Sequence, residues 1–398
     1  MNPVSRSIMR YILCAAASLA AGCASYPPMP PPSQRTPTLL VPASLAGVHD
    51  RRAAFRQLFC SADSADNRAA LAEDAADCSR WLVRVGSETD ESAPTSTHTP
   101  AALRIVIVLG FGWDCLQGLF DAQQLPARHL QRQGYDVTEL QVDGLAGSAH
   151  NARLIRDALA ADGRADPRPL LLIGYSKGVV DILEALVEDA GLSARVAAVV
   201  SVAGAIGGSV LADETSADEV AMLRALPGGH CDAQDSGALE SLRPHIRQRW
   251  LAHHPLPTAP RYYSVVTFPR PDNVSALLSS GHRRLSQVDA HNDGALLPQD
   301  QVIPGSHLLA YVDADHWSVA LPVDGTAPVL AAFMGGREDF PLDRLWATLV
   351  RFVEQDLAHA RRAVVGEGSV CALTGRVGQR QGAADVGAWR HCACWCCW

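Results

Sequence analysis

Short apolar runs alternate with amphipathic stretches through the middle of the chain, from residue 101 to residue 365. The apolar runs are rich in Val, Ile and Leu, as strands buried on both faces are, and they lie at 103–112, 135–142, 169–176, 196–204, 261–268 and within 307–321. The amphipathic stretches predict helices at 114–134 (broken near Pro126), 148–162, 177–191 and 342–363. Alternating strands and helices predict an α/β domain whose mostly parallel central sheet has helices on both faces.

Two regions depart from this alternation. Residues 205–260 mix helical pieces with Pro and Gly, which predicts a cap-like insertion, or lid, over the carboxyl edge of the sheet. Residues 46–100 precede the first strand and predict an N-terminal helical segment followed by a linker. Phe55, Leu58 and Phe59 share one helical face, and the stretch 86–100 is rich in Ser, Thr and Pro, as linkers are.

The first 45 residues have the pattern of an export signal and a tether. Arg6 and Arg10 precede the apolar run 11–21, which is shorter than the roughly 20 residues that a membrane-spanning helix needs. Residues 1–22 are therefore interpreted as a signal peptide. Gly22-Cys23 resembles a bacterial lipobox, which implies that Cys23 is lipidated, for example with palmitate, and residues 23–45 form a Pro-rich tether.

The lipobox resemblance also implies a location. In bacterial lipoproteins, Ala24 rather than Asp at this position implies sorting to the outer membrane, with the chain facing the periplasm. The membrane is then a partner through the lipid on Cys23. The alternative is an ordinary signal peptide that happens to contain Cys23, with release into the periplasm.

Composition supports a globular protein and argues against one class of partner. Hydrophobic residues make up 48% of the 398 positions and charged residues 19%, which suits a chain with a sizeable core. The formal net charge of −8 argues against a sequence-independent nucleic-acid binder. The sequence has no internal repeat of the kind that marks solenoids or propellers.

The chain has 11 cysteines, and their spacing suggests disulfides rather than metal binding. Cys60 and Cys78 bracket a short stretch and are candidates for a disulfide in an oxidising compartment. Sequence leaves open whether Cys115, Cys231 and Cys371 pair. The tail 366–398 ends in "WRHCACWCCW", which matches no zinc pattern and predicts a disordered segment, so no metal site is expected.

The stretch "GYSKG", from Gly174 to Gly178, joins a predicted buried strand to a predicted helix. A serine at such a join is the nucleophile elbow, a tight turn that exposes the hydroxyl at the carboxyl edge of the sheet. Ser176 is the predicted nucleophile. The backbone N–H of Lys177, at the start of the helix, is a predicted oxyanion donor, and its side chain is expected at the surface.

A serine nucleophile needs a base and an acid that orients the base. Asp293 lies in a loop after the strand at 261–268, and His316 follows the next strand, which gives the order Ser, acid, His. The alternatives left open are Asp313, Asp315, Asp289 and Asp300 for the acid, and His291 and His307 for the base. Asp181 and Glu184, on the helix after the elbow, are expected to be solvent-facing or packing residues.

The second oxyanion donor is expected in "VLGFGWD", after the first buried strand. The Phe111 N–H is the predicted donor, with that of Gly112 as the alternative. Trp113, with Phe111, is predicted to wall an acyl pocket, and Tyr175, beside the nucleophile, is predicted to contact substrate. The alternative for the loop aromatics is that they only fill the core.

These motifs resemble the α/β-hydrolase superfamily and, loosely, its bacterial lipases and esterases. The resemblance covers about residues 101–363 and rests on "GYSKG", on "NDG" before "LLP" and on "DADHW". It departs from many lipases at the oxyanion loop, where Leu109-Gly110 replaces His-Gly. The resemblance implies hydrolysis of carboxylic esters through an acyl-enzyme, with no cofactor and with a small-molecule or lipid ester as substrate.

Two other interpretations remain open at the level of sequence. The first is a non-catalytic envelope lipoprotein that uses the same fold as a binding scaffold. The second is an acyltransferase or thioesterase that uses the same three side chains.

Overall fold

The computed structural model describes residues 47–61, 80–89, 103–116, 118, 120–163, 166–215, 237–322 and 340–377. Within these residues, seven parallel strands form one sheet in the order β1-β7-β6-β5-β4-β2-β3. The strands are β1 His49–Asp50, β2 Arg104–Val108, β3 Val137–Glu139, β4 Leu170–Tyr175, β5 Val196–Val202, β6 Arg261–Thr267 and β7 His307–Val312. The fold class predicted from the sequence, an α/β-hydrolase fold, is confirmed.

Helices cover both faces of the sheet. They are α1 Arg52–Cys60, α2 Trp113–Leu116, α3 Pro126–Arg132, α4 Ser148–Gly163, α5 Lys177–Glu188, α6 Ala190–Arg195, α7 Val210–Glu214, α8 Ala238–Leu242, α9 Pro244–His253, α10 Ser279–Leu285 and α11 Leu342–Val377. No helix of the described ranges combines the length and the apolar character that crossing a bilayer requires.

Alternate residues of the central strands enter two separate cores. Ile105 and Ile107 of β2 pack in a cluster with α1, α3 and α11, whereas Val106 and Val108 pack with α4 and α5. Successive side chains of a strand point to opposite faces, so a strand between two helical layers must be apolar at every position. This is why residues 105–108 of β2, "IVIV", are all apolar, and the whole strand is buried.

The N-terminal segment belongs to this same fold. Asp50 of β1 pairs with Leu308 of β7, and Phe55 and Phe59 of α1 lie in the core cluster that contains α11. At the other end, α11 continues to Val377, past the predicted boundary at residue 365. The predicted signal peptide 1–22, the tether 23–45 and the last residues of the tail lie outside the described residues.

The predicted insertion 205–260 contributes α7, α8 and α9, with residues 216–236 outside the description. It leaves the sheet after β5 and returns at β6. The Ser209 hydroxyl donates to Ala295 O over 2.6 Å, and the Ala238 N–H donates to Leu145 O over 3.1 Å. These bonds hold the described part of the insertion beside the loops at the carboxyl edge.

Candidate active site

Ser176 stands at the turn between β4 and α5, and its backbone is strained. Its φ of 55° and ψ of −124° are angles that a residue with a Cβ rarely adopts. Two glycines make the turn sterically feasible. A Cβ at Gly174 would lie 2.3 Å from Val179 Cα, and one at Gly178 would lie 2.1 Å from Val108 O. The turn therefore presents the Ser176 hydroxyl at the carboxyl edge of the sheet.

His316 and Asp293 reach Ser176 from the loops that follow β7 and β6. His316 Nε2 lies 2.9 Å from Ser176 Oγ, and His316 Nδ1 lies 2.8 Å from Asp293 Oδ2. Ser176 and His316 are each 6% exposed, and Asp293 is fully buried. A base thus lies within hydrogen-bond distance of a nucleophile, with a carboxylate on its other ring nitrogen.

Both oxygens of Asp293 accept further hydrogen bonds. The backbone N–H groups of Ala295 and Leu296 donate to Oδ1 over 2.9 and 2.6 Å. The Thr267 hydroxyl donates to Oδ2 over 2.8 Å, beside the imidazole. The side chain therefore shapes its own turn and holds the carboxylate in place for His316.

Gln301 fixes the orientation of Thr267. The Thr267 N–H donates to Gln301 Oε1 over 2.7 Å, and Gln301 Nε2 donates back to Thr267 O over 2.9 Å. Gln301 and Thr267 are fully buried. No sequence motif identifies Thr267 or Gln301 as a residue of the site. The only signal is that Thr267 ends β6, at the edge of the sheet where the site lies.

Asp313 and Asp315, the nearest alternatives for the acid, have other partners. Asp313 Oδ1 accepts a hydrogen bond from Asn273 Nδ2 over 3.0 Å. Asp315 Oδ2 accepts one from the Ser275 N–H over 2.8 Å. Both carboxylates are buried and tie the loop that carries His316 to the segment after β6.

The remaining alternatives lie apart from the Ser176 hydroxyl. Asp289 and His291 form a pair with a separation of 3.2 Å, in which the histidine is exposed. His307 is the first residue of β7, at the opposite edge of the sheet, and burial lowers its pKa to about 4. The Asp300 carboxyl packs against Gly207, and burial raises its pKa to about 7.

The loop after β2 passes directly beside the nucleophile. A Cβ at Gly110 would lie 2.7 Å from Ser176 Cβ, so this close approach requires a glycine. The predicted oxyanion donors lie on either side of this contact, at the N–H of Phe111 and the N–H of Lys177. The first N–H groups of a helix such as α5 have no intrahelical acceptor, and the helix N-terminus favours negative charge. The alternative donor, the Gly112 N–H, already donates to a backbone carbonyl after β3 over 3.1 Å.

Trp113 and Tyr175 are buried and have internal partners. Trp113 Nε1 donates to Glu139 Oε1 over 3.0 Å, beside a cavity of about 400 Å³ at the β3 edge of the sheet. The Tyr175 hydroxyl donates to His316 O over 2.6 Å, and burial raises the pKa of Tyr175 well above its usual value. The contact of Trp113 and Tyr175 with substrate stays a prediction. The Tyr175 hydroxyl holds the backbone of His316 in place.

The Lys177 side chain is buried, which corrects the expectation that it lies at the surface. It is 1% exposed, and its Nζ donates to both oxygens of Asp181 over 2.8 and 2.9 Å. Asp181 also accepts from Asn151 Nδ2 over 2.8 Å. One turn further along α5, Glu184 pairs with the buried Arg247 of α9 over 2.8 Å. Helix α5 therefore carries two buried ion pairs directly behind the nucleophile.

The cysteines for which the structure gives a bonding state are oxidised. Cys60 and Cys115 are both disulfide-bonded. Cys78 and Cys231 lie outside the described residues, so the Cys60–Cys78 pairing stays a prediction. Within the described ranges, no three His, Cys, Asp or Glu side chains are grouped in a way that could hold a metal ion.

Comparison of the folded chain with solved structures found carboxyl esterases and lipases. The metagenomic carboxyl esterase MGS0156 is 35% identical and superposes with a TM-score of 0.70, over 81% of this chain and 97% of that one. EstA from Clostridium botulinum is 12% identical, with a TM-score of 0.48 over 76% and 97%. The mature lipase BlEst2 of Bacillus licheniformis is 20% identical, with a TM-score of 0.46 over 61% and 91%. No protein-family model matches the chain, and a comparison with curated proteins found no significant match.

Proposed function

Since this chain belongs to the carboxyl esterases of the α/β-hydrolase superfamily and is a carboxylic ester hydrolase, we propose that it works through a Ser176–His316–Asp293 triad and an acyl-enzyme. The observation that carries the proposal is the pair of hydrogen-bond distances at His316, 2.9 Å to Ser176 Oγ and 2.8 Å to Asp293 Oδ2. A neutral imidazole in this position accepts the serine proton on Nε2 while Nδ1–H donates to the carboxylate.

Acylation begins when Ser176 Oγ attacks the ester carbonyl carbon and its proton passes to His316 Nε2. The carbonyl oxygen becomes an oxyanion, which the N–H groups of Phe111 and Lys177 stabilise. Asp293 keeps the imidazole in the reactive tautomer and stabilises the imidazolium. When the tetrahedral intermediate collapses, His316 returns the proton to the leaving alcohol oxygen and the acyl group stays on Ser176.

Deacylation repeats these steps with water. His316 Nε2 removes a proton from the attacking water, and the same two N–H groups hold the second oxyanion. Collapse of this intermediate releases the carboxylic acid, and Ser176 Oγ recovers its proton from His316. Each proton that leaves an oxygen returns to an oxygen, so the cycle ends with Ser176 and His316 in their starting protonation states.

Apolar side chains near the nucleophile favour an ester with an apolar acyl group. Phe111 packs in one cluster with Ala205 of the loop after β5, Leu242 of the insertion and Leu296 of the loop that carries Asp293. The Ala205 N–H donates to Ser176 O over 3.1 Å, so this cluster lies immediately beside the elbow. A small-molecule or lipid ester is therefore the proposed substrate class.

A fluorophosphonate probe tests the proposal directly. We expect the wild type to be labelled and to hydrolyse p-nitrophenyl esters, and we expect Ser176→Ala to lose both properties. Ser193→Ala is the matched control, because Ser193 is also buried but its hydroxyl donates to Leu186 O in α5. A folded wild type that takes no label would instead favour the non-catalytic scaffold.

We also propose that the enzyme is held in the bacterial envelope by a lipid on Cys23, with the catalytic domain in the periplasm. The disulfide-bonded state of Cys60 and Cys115 supports an oxidising compartment. Cell fractionation tests the anchor: we expect the wild type in the membrane fraction and Cys23→Ala in the soluble periplasmic fraction. Equal distribution of the two proteins would contradict the anchor and leave the catalytic proposal intact.

A further inference from the structure

A tight turn between β3 and α4, at residues 143–146, contacts the loop that carries the proposed oxyanion donor Phe111. The Asp143 carboxylate closes the turn on itself, because its Oδ1 accepts from the N–H groups of Leu145 and Ala146 over 3.1 Å each. The turn is therefore a preformed unit whose position depends on what holds it from outside.

On one side, the 143–146 turn touches the oxyanion loop after β2. The Gly112 N–H donates to Gly144 O over 3.1 Å. A Cβ at Gly144 would lie 2.7 Å from Gly112 N and 2.9 Å from Trp113 N. Contact this close means that a shift of the turn moves the loop, and Phe111 is the residue directly before Gly112.

On the other side, Asn151 of α4 joins the turn to the elbow helix. Asn151 Nδ2 donates to Asp143 O and to Asp181 Oδ2, each over 2.8 Å, and its Oδ1 accepts from the Asp143 N–H over 3.2 Å. Asn151 is fully buried, and both amide protons and the amide oxygen are used. Asp181 is in turn held by Lys177 Nζ.

We propose that Asn151 is a positioning residue for the oxyanion hole. Its hydrogen bonds fix the position of the Phe111 N–H relative to the Lys177 N–H. The inference rests on the proposed function. The two donors come from separate segments, and each must lie about 2.7–3.1 Å from the developing oxyanion to stabilise it. Asn151 links them, through the 143–146 turn to Phe111 and through Asp181 to Lys177. Burial strengthens these bonds, since no water competes for them.

Asn151→Leu tests the inference with a side chain of similar size that forms no hydrogen bonds. Removing one oxyanion donor costs about 10²–10³ in kcat, so displacing one is expected to lower kcat by about 10- to 100-fold. The rate is measured per active site, titrated with a fluorophosphonate, and KM is expected to change by less than about three-fold. The Ki of an aryl trifluoromethyl ketone, whose adduct with serine is itself an oxyanion, is expected to rise by the same factor as kcat/KM falls.

Arg247→Met is the matched control. It removes the buried ionic partner of Glu184 on α5, the helix that also carries Asp181, and it makes no contact with the 143–146 turn. It is expected to lower stability and to leave the ketone Ki unchanged. If Asn151→Leu does not fold, Asn151→Ala removes the amide without adding a charge beside Asp181, and the same loss in titrated kcat and ketone affinity is expected.

Three outcomes overturn the inference. They are a wild-type ketone Ki in the folded Asn151 variant, a wild-type kcat per titrated site, and an equal rise of the Ki in Arg247→Met. Loss of the proposed function itself gives a different result, because the wild type would then react with neither the fluorophosphonate nor the ketone.

Discussion

Individual carboxylates near the histidine differ in what they bind, and this decides their roles. Asp293 faces Nδ1 of His316 at 2.8 Å and also accepts from Thr267. Asp313 and Asp315 lie closer to the histidine in sequence, yet both accept from groups of the segment that follows β6, and Asp315 Oδ1 also accepts from Ser318 of its own loop. Position decides the role, since Asp293 also accepts from the backbone of its own turn and still faces the imidazole.

Isosteric substitutions separate these roles. Asp293→Asn is expected to lower kcat by about 10⁴, because an amide at this position favours the wrong imidazole tautomer. Asp313→Asn and Asp315→Asn are expected to lower kcat by less than about 10-fold, since removing one hydrogen bond to a charged group costs about 1.5–3 kcal/mol and falls mainly on the loop. Ester hydrolysis per titrated active site measures all three. A loss in Asp315→Asn as large as that in Asp293→Asn would contradict the assignment.

Helix α5 links the nucleophile to the insertion through a pair of buried charges. Arg247 Nη1 lies 2.8 Å from Glu184 Oε1, and the guanidinium stacks over Trp250 at 4.6 Å. Burial raises the pKa of Glu184 and lowers that of Arg247, because desolvation disfavours the charged form of each. The pair fixes where α9 sits on α5, and either charge without the other is costly in this environment.

Arg247→Met is therefore expected to lower the free energy of unfolding by about 3–5 kcal/mol, whereas the double variant Glu184→Leu/Arg247→Met recovers most of it. The control is Arg156→Met, which breaks the partly exposed pair with Glu188 on the same helix and is expected to cost less than about 1 kcal/mol. Urea titrations of the four proteins measure these differences. A double variant as unstable as Arg247→Met would show that the pair itself, and not the unpaired charge, stabilises the contact.

The pH dependence of the whole molecule's stability includes two opposing groups outside the triad. Burial raises the pKa of Asp300 to about 7 and lowers that of His307 to about 4. The folded state therefore favours the neutral form of both. The contribution of Asp300 to the free energy of unfolding is fully present below its unfolded pKa of 3.8, and it is lost as the pH rises through about 7. That of His307 is present above its unfolded pKa of 6.5 and is lost as the pH falls through about 4.

Near pH 4, Asp300→Asn is expected to have about the same free energy of unfolding as the wild type. At pH 8 the variant is expected to be more stable than the wild type by about 2–4 kcal/mol. The amide has the same size and never ionises, so it escapes the cost of burying a charge beside Gly207. Urea unfolding of both proteins at the two pH values measures the change. If the two unfolding curves shift together with pH, the Asp300 carboxyl does not ionise as the burial indicates.

The sequence by itself determined the features that depend on near neighbours in the chain. Apolar runs such as "RIVIV" specify strands buried on both faces, and "GYSKG" specifies the strained turn at Ser176, because each depends on a few consecutive side chains and their backbone preferences. The glycine at position 174 follows the same local logic, because a Cβ there would collide with Val179, five residues along the chain.

Only the tertiary structure decided which distant groups meet. Asp293 rather than Asp313 faces the imidazole because the loops after β6 and β7 end side by side, a consequence of strand register that no short pattern carries. The strand at His49–Asp50 joins β7 for the same reason. A polar side chain is stable in the interior when a partner is supplied from elsewhere in the chain, and the sequence around it does not reveal that partner.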